Sequence, residues 1–167
     1  MTVISRTLAS TAILLTSLLD AAPHANDATM HTLQDFEANS SPNEWFAQND
    51  SVMGGISTGQ ARFFEGALHF TGQLSFENNG GFAQIYSPVL GGDFSSFTGV
   101  RLKVKGDGRN YQFRLATDAR FRGSAIAYKA GFPTDADQWV EISLPFETFI
   151  PSFRGRVLSE PPLDTSD

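Results

Sequence analysis

Apolar and polar residues alternate strictly along much of the chain after residue 66. Because successive side chains of a β-strand point to opposite faces, this alternation predicts strands with one buried face. The regular runs begin at Leu68, Val100, Tyr111, Ile126 and Val140. In the first run Leu74 and Phe76 keep the same parity, so we expect both on its buried face. Less regular stretches at 45–48, 60–64 and 82–87 raise the expected total to about eight strands.

Short segments rich in Gly, Asn and Asp separate these runs, at 64–66, 78–81 and 106–108. Such residues tolerate positive φ and favour the tight turns of hairpins, so successive strands are predicted to be mostly antiparallel. Beyond the N-terminal segment, no long stretch shows the 3.6-residue period of an amphipathic helix. Many short strands joined by turns indicate a sandwich or barrel. We place one all-β domain, with a single core, at residues 33–167.

The first 25 residues differ from the rest of the chain. Residues 1–19 contain one arginine, Arg6, no acid, and an apolar run at 12–19, which is typical of a signal or targeting segment. The run is far shorter than the ~20 residues that span a bilayer, so we expect no stable membrane span. Residues 26–32 are assigned to a linker. We expect an exported protein, periplasmic or secreted; a mitochondrial location is the alternative, and a disordered tail is the simplest interpretation.

Composition and charge exclude several functions. A net charge of −6 argues against binding nucleic acid through bulk phosphate attraction, because such domains are usually basic. Without cysteine, the chain has no disulfide, thiolate metal site or cysteine nucleophile. Alternation nevertheless places Arg101, Lys103 and Lys105 on one outward face, and Arg114 on the polar face of the next strand. This basic face is either a solvated surface that discourages edge pairing or a docking patch for an acidic partner.

The strands carry no recognisable catalytic pattern. His69 should point away from the Leu68/Phe70 face, and neither a second ligand nor a nucleophile elbow accompanies it. The glycine-rich segments 52–59 and 106–110 lack the residues of phosphate-binding loops. Acid pairs at 35/37 and 135/137 suit exposed turns best, with a calcium site or a glycosidase pair as alternatives. We expect no catalytic residue, no metal and no cofactor.

One segment carries a family resemblance. Residues 45–57, which read Trp-Phe-Ala-Gln-Asn-Asp-Ser-Val-Met-Gly-Gly-Ile-Ser, resemble the signature of the complex I intermediate-associated protein 30 family. Blocks at 70–75, 77–82, 106–111 and 139–149 agree with that family in order and spacing, and 153–156 extends the match. The resemblance covers about residues 33–164.

The resemblance implies a galactose-binding-like jelly-roll β-sandwich without enzyme activity. Eukaryotic members are similar to chaperones that help to assemble the membrane arm of respiratory complex I, so it implies a protein partner, a respiratory-chain subunit if the family role holds. A carbohydrate-binding module of an exported protein is the alternative, since this sandwich class often hosts sugar sites. Two Trp and three Tyr against fifteen Phe favour core packing over sugar stacking, so protein binding ranks above a glycan.

The candidate binding residues come from the family motif and the turn that follows it. They are Trp45, Asn49, Asp50, Met53, Gly54, Gly55, Asn78, Asn79, Gly80 and Gly81. Asn49 and Asp50 can fold a tight turn, and the glycine pair allows close approach or positive φ. We expect Trp45 and Met53 to pack against the core. The motif is then mainly architecture, with a binding lip formed with the 78–81 turn as the alternative.

The C-terminal segment 153–164 resembles the family up to a point where other members continue into further strands. We therefore expect a sandwich that lacks its last strands, and a truncated gene product is an equally good interpretation. A gap of this kind would be filled by a strand from a partner, a second copy or the N-terminal segment of the same chain.

Overall fold

The computed structural model describes residues 2–3, 30–36, 45–87 and 91–166. It is built of β-strands, and the described residues contain no α-helix. The strands are β1 (Thr2–Val3), β2 (Phe46–Asn49), β3 (Thr58–Phe64), β4 (Ala67–Gln73), β5 (Ala83–Tyr86), β6 (Gly99–Lys105), β7 (Asn110–Leu115), β8 (Arg120–Phe121), β9 (Ser124–Ala125), β10 (Ala127–Pro133), β11 (Trp139–Pro145), β12 (Ile150–Phe153) and β13 (Arg156–Val157). Short 3-10 helices lie at Asp50–Met53, Glu77–Asn79 and Phe146–Thr148.

The strands form an all-β sandwich with antiparallel sheets. A main sheet contains seven strands in the order β13-β12-β10-β7-β1-β5-β2. Two further sheets of two strands each, β3–β4 and β6–β11, lie over one face of it, and β8–β9 is a small separate pair. Every strand pairing in these sheets is antiparallel.

The core lies between the main sheet and the two smaller sheets, in two clusters. The larger cluster joins the inward residues of β7 and β10 to β6 and β11, and Phe113 at its centre is fully buried. The smaller cluster joins Trp45, Ala83 and Ile85 to Phe70 of β4. Complete burial of one such side chain contributes about 1.5–3 kcal/mol, so these clusters dominate the stability of the sandwich.

The eight predicted strands are all present, but one prediction about their length is wrong. β4 ends at Gln73, and Leu74 and Phe76 are exposed by 43% and 82%. The chain leaves the β4 ladder there and enters the 3-10 helix Glu77–Asn79. The alternation of apolar residues therefore continues in the sequence as far as Phe76, although the strand ends at Gln73.

The turn sequences were predicted to close hairpins, and only one of the three does. Glu65 and Gly66 have φ of 50° and 70° and join the paired strands β3 and β4. The 78–81 turn leads from β4 to β5 and the 106–108 turn leads from β6 to β7, and neither pair of strands is hydrogen-bonded. Both segments carry the chain from one sheet to another, which the same turn residues allow equally well.

The segments at the two ends of the chain contact the sandwich. Beyond β13, Leu158 and Leu163 pack against the larger core cluster, and the Tyr128 hydroxyl donates to the Pro162 carbonyl at 3.0 Å. At the other end, β1 lies between β5 and β7. The remainder of the expected targeting segment and most of the linker lie outside the described residues. No helix in the described part of the chain is long and apolar enough to cross a membrane.

Candidate functional site

One buried carboxylate organises the loops at the end of β2. Asp50 begins the 3-10 helix Asp50–Met53 and exposes none of its surface. Its Oδ1 accepts a hydrogen bond from the Ser57 amide at 2.9 Å, and its Oδ2 accepts from the amides of Gly81 at 2.6 Å and Phe82 at 3.3 Å. The Asp50 amide donates in turn to the Phe82 carbonyl at 3.2 Å. The loop after β2 is thereby tied to the turn before β5.

Hydrogen bonding keeps this carboxylate ionised despite its burial. Burial by itself raises the pKa of Asp50, whereas the hydrogen bonds from Ser57, Gly81 and Phe82 lower it. The net result is a pKa of Asp50 below its ordinary value of 3.8. A carboxylate committed to amide donors of its own chain is a structural anchor and a poor general acid at neutral pH.

Glycines around Asp50 make room for the carboxylate. A Cβ at Gly55 would overlap the Asp50 carboxyl group, and a Cβ at Gly80 would lie 2.6 Å from Asp50 Oδ2. Gly54 has a different requirement, because nothing lies within 4 Å of the place its Cβ would occupy but its φ is +89°. The expected roles of the glycine pair, positive φ and close approach, are therefore confirmed and fall on different residues.

A second connection lies directly beside the first. Ser57 is buried, and its Oγ donates to the Ser75 carbonyl at 3.2 Å while accepting from the Ser75 amide at 3.0 Å. Asn49 adds a bond from its Nδ2 to the Gly59 carbonyl at 3.2 Å. These contacts fix the loop after β2 against both the start of β3 and the end of β4.

Large apolar side chains stand exposed next to the polar residues Asp50, Ser57 and Ser75, which we call the hub. They are Val52, Met53, Ile56, Leu74 and Phe76, with exposed fractions of 63%, 65%, 52%, 43% and 82%. Each is within two residues of Asp50, Ser57 or Ser75 along the chain, except Met53, which ends the helix that Asp50 begins. The Phe76 ring also lies against Gly81, where an added Cβ would be 2.9 Å from it. We call these five residues the apolar rim.

Comparison with known proteins identifies the family. The family model described as Complex I intermediate-associated protein 30 matches residues 34–167, most of the chain. The chain belongs to the complex I intermediate-associated protein 30 family. No curated protein and no solved structure matched it.

The family motif maps onto the hub and its rim. Trp45 packs in the core as expected, 7% exposed and with its ring edge-on to Phe36 at 5.7 Å. The expectation that Met53 also packs in the core is wrong, because the 3-10 helix turns Asp50 inward and leaves Met53 in solvent. Asn78 and Asn79 have φ of 54° and 60° and are exposed at the surface of the turn.

The structure brings the motif and the 78–81 turn together, as both the architectural and the binding interpretations require. Asp50 of the motif contacts Gly80 and Gly81 of the turn directly, and Gly55 lies against Asp50 from within the motif. Six residues of this region were not predicted from the sequence as site residues: Val52, Ile56, Ser57, Leu74, Ser75 and Phe76. Ser57 lies inside the quoted motif, so the motif could have drawn attention to it. Phe76 has the same parity as the inward residues of β4, and this parity predicted burial where the residue is exposed.

The predicted basic residues lie in two different sheets. Arg101, Lys103 and Lys105 project from β6, where they are opposite Ser143, Glu141 and Trp139 of β11. Lys103 Nζ lies 5.8 Å from the centre of the Trp139 ring. Arg114 belongs to β7 in the main sheet and takes part in a separate network of polar side chains.

The remaining candidates for chemistry do not converge. His69 Nε2 is 3.2 Å from the Phe64 carbonyl at the surface of the β3–β4 hairpin. Asp135 and Asp137 are exposed in the turn between β10 and β11, and Glu37 of the other acid pair lies outside the described residues. Within the ranges that the structure describes, no three His, Asp or Glu side chains are grouped as a metal site requires.

Proposed function

We propose that the chain is a non-catalytic protein-binding domain that acts in the assembly of complex I and holds its partner at the apolar rim. The observation that carries this proposal is the exposure of five large apolar side chains around one buried carboxylate. Exposed apolar surface commonly marks a protein interaction site, and the rim residues lie in two short segments, 52–56 and 74–76, that the Ser57–Ser75 hydrogen bonds hold side by side. Methionine and phenylalanine are also enriched in interface cores, and Met53 and Phe76 are the most exposed members of the rim.

Asp50 supports binding by fixing the rim before the partner arrives. Three amide donors hold the carboxylate, and the Ser57–Ser75 pair holds the adjoining strands. Loops that are already ordered lose less conformational entropy on association, so more of the apolar contact remains as affinity. In this proposal the motif has a structural role and a binding role, because its buried residues position the exposed residues that contact the partner.

The partner chemistry follows from the family and the rim together. We propose a complex I subunit or assembly intermediate with an apolar surface that the finished complex later covers. A patch of five side chains favours a small, transient interface, which suits a factor that must leave its product. An exported location would separate the chain from such a partner if that partner faces another compartment, so the location of the mature protein tests the proposal as well.

Paired variants test the rim. Phe76→Ser removes the most exposed rim residue, and Phe64→Ser removes an apolar side chain, 51% exposed, at the opposite end of the β3–β4 hairpin. Each tagged variant is incubated with solubilised respiratory membranes, and bound complex I subunits are quantified by mass spectrometry. The proposal requires recovery to fall with Phe76→Ser and to persist with Phe64→Ser. Equal recovery would refute the rim, and saturable glycan binding without subunit recovery would favour the carbohydrate-binding alternative.

A further inference from the structure

Among the described residues, an interior position of the main sheet is held by two residues, Thr2 and Val3. β5 and β7 are not bonded to each other, and β1 lies between them, antiparallel to both. Thr2 pairs with Tyr86 and Arg114, and Val3 pairs with Ile85 and Phe113. On its other side β7 pairs with β10 through six positions. We call the space between β5 and β7 the strand slot.

The strand slot is flanked by residues of both core clusters, Phe113 of the larger and Ile85 of the smaller. Ile85 and Phe113, which flank it, are 1% and 0% exposed. Backbone N–H and C=O groups in the interior of a sheet need hydrogen-bond partners, so a strand in the slot stabilises the sheet more than a strand at its edge does. In the part of the chain that the structure describes, β1 is the only strand that pairs with β5 and β7 at this position.

A polar network crosses the slot on the outer face of the main sheet. Arg114 Nη1 donates to Gln84 Oε1 at 3.2 Å, which joins β7 to β5, and Arg114 Nη2 donates to Gln112 Oε1 at 3.1 Å. Gln84 Nε2 donates to Gln48 Oε1 at 2.9 Å and to the Tyr86 hydroxyl at 2.7 Å. The partners of Arg114 in this network are neutral amides.

The charge of Arg114 lacks a carboxylate partner among the described residues. Its Nε is buried without a hydrogen-bond partner there, and Lys129 stands directly opposite it on β10. Burial lowers the pKa of Arg114, and Tyr86 opposes that shift only in part. A partly buried cation with neutral partners is an unfavourable arrangement that an added carboxylate would relieve. β1 cannot supply it, because residues 1–19 contain no acid.

We propose that the strand slot is a strand-acceptor site that takes an extended acidic segment of a partner protein in place of β1. The segment runs antiparallel to β5 and β7 and carries a carboxylate at the position opposite Arg114. The next residue lies opposite Ile85 and Phe113 and is apolar, because residues directly opposite in a sheet share a face. Backbone pairing supplies the binding energy and the carboxylate supplies the specificity, as in other strand-addition complexes. This site is separate from the apolar rim, so either proposal can fail alone.

Synthetic peptides test the slot on the full chain. The probe is a fluorescent peptide of alternating Val and Thr with one Glu in an outward position, and the control peptide carries Gln in place of that Glu. Saturable binding is expected, with affinity about tenfold lower for the Gln peptide, as expected for a lost charge-assisted hydrogen bond. Hydrogen exchange should slow at 83–86 and 110–115 in the complex.

Variants separate the proposed site from general peptide binding. Arg114→Gln should remove the preference for Glu, whereas Arg101→Gln on β6 should preserve it. Val3→Pro, which removes a backbone donor of β1, should tighten peptide binding relative to Val3→Ile, and this test does not depend on how well Arg114→Gln folds. Equal affinity for the two peptides, protection confined to other strands, or a Val3→Pro protein that binds no more tightly would each overturn the proposal. Self-association that blocks the peptide would assign the slot to a second copy instead.

Discussion

Substitution of Gly54 isolates the backbone requirement of the family motif. Gly54 has a φ of +89° and open space around its Cβ position, so Gly54→Val introduces strain without a steric overlap with other residues. A β-branched residue held in this region should cost about 1–3 kcal/mol. Gly91 offers a matched control, because its Cβ position is equally open and its φ is not positive.

The assay is urea unfolding followed by tryptophan fluorescence. Its change on unfolding should come mainly from Trp45, which is buried in the smaller core cluster, because Trp139 is already exposed in the folded protein. Gly54→Val should lower the free energy of unfolding by about 1–3 kcal/mol with an unchanged m-value, and Gly91→Val should stay within roughly 0.5 kcal/mol of wild type. Gly54→Asn should lie between them, since asparagine tolerates positive φ better than valine. Equal losses at positions 54 and 91 would refute this reasoning. Unchanged stability with lost partner binding would make Gly54 a contact residue.

Three further substitutions follow from the core and the hub. Gly55→Ala should destabilise more than Gly91→Ala in the same urea assay, because its methyl group displaces the Asp50 carboxyl. Wild-type stability should fall as the pH drops below 3.8 towards the lowered pKa of Asp50. Asp50→Asn should be less stable at pH 7 and should lack this part of the pH dependence, so parallel pH profiles of the two proteins would contradict the role of Asp50. Phe113→Ala should cost about 3–5 kcal/mol, whereas exposed Phe64→Ala should cost under about 1 kcal/mol, measured by thermal unfolding.

The strands could be predicted from the sequence because burial imposes a two-residue period that each run displays on its own. Val100, Leu102 and Val104 alternate in the sequence and contact the core from β6. Pairing could not be predicted in the same way, since turn residues at 106–108 fit a hairpin and a crossing between sheets equally well. The partner of β6 is β11, about 40 residues later, and no local pattern marks that contact.

Only part of the candidate site could be predicted from the sequence, and its arrangement could not. The motif identified Asp50 and the glycines, yet two of the three amides that bind Asp50 lie 31 and 32 positions away in sequence. Met53 was expected inside because it is apolar, and a single 3-10 turn was enough to reverse its direction. The apolar rim could not be predicted from composition or from residue parity, because the exposure of its side chains depends on where the surrounding strands end.

Site-specific photo-crosslinking in living cells tests the central claim most directly. A crosslinking amino acid is placed at position 76 on the apolar rim and, separately, at position 64 on the far end of the β3–β4 hairpin, and crosslinked proteins are identified by mass spectrometry. The account predicts that position 76 captures a complex I subunit or assembly intermediate and that position 64 does not. Capture of such subunits at both positions alike, or at neither while the protein is folded and expressed, would contradict it.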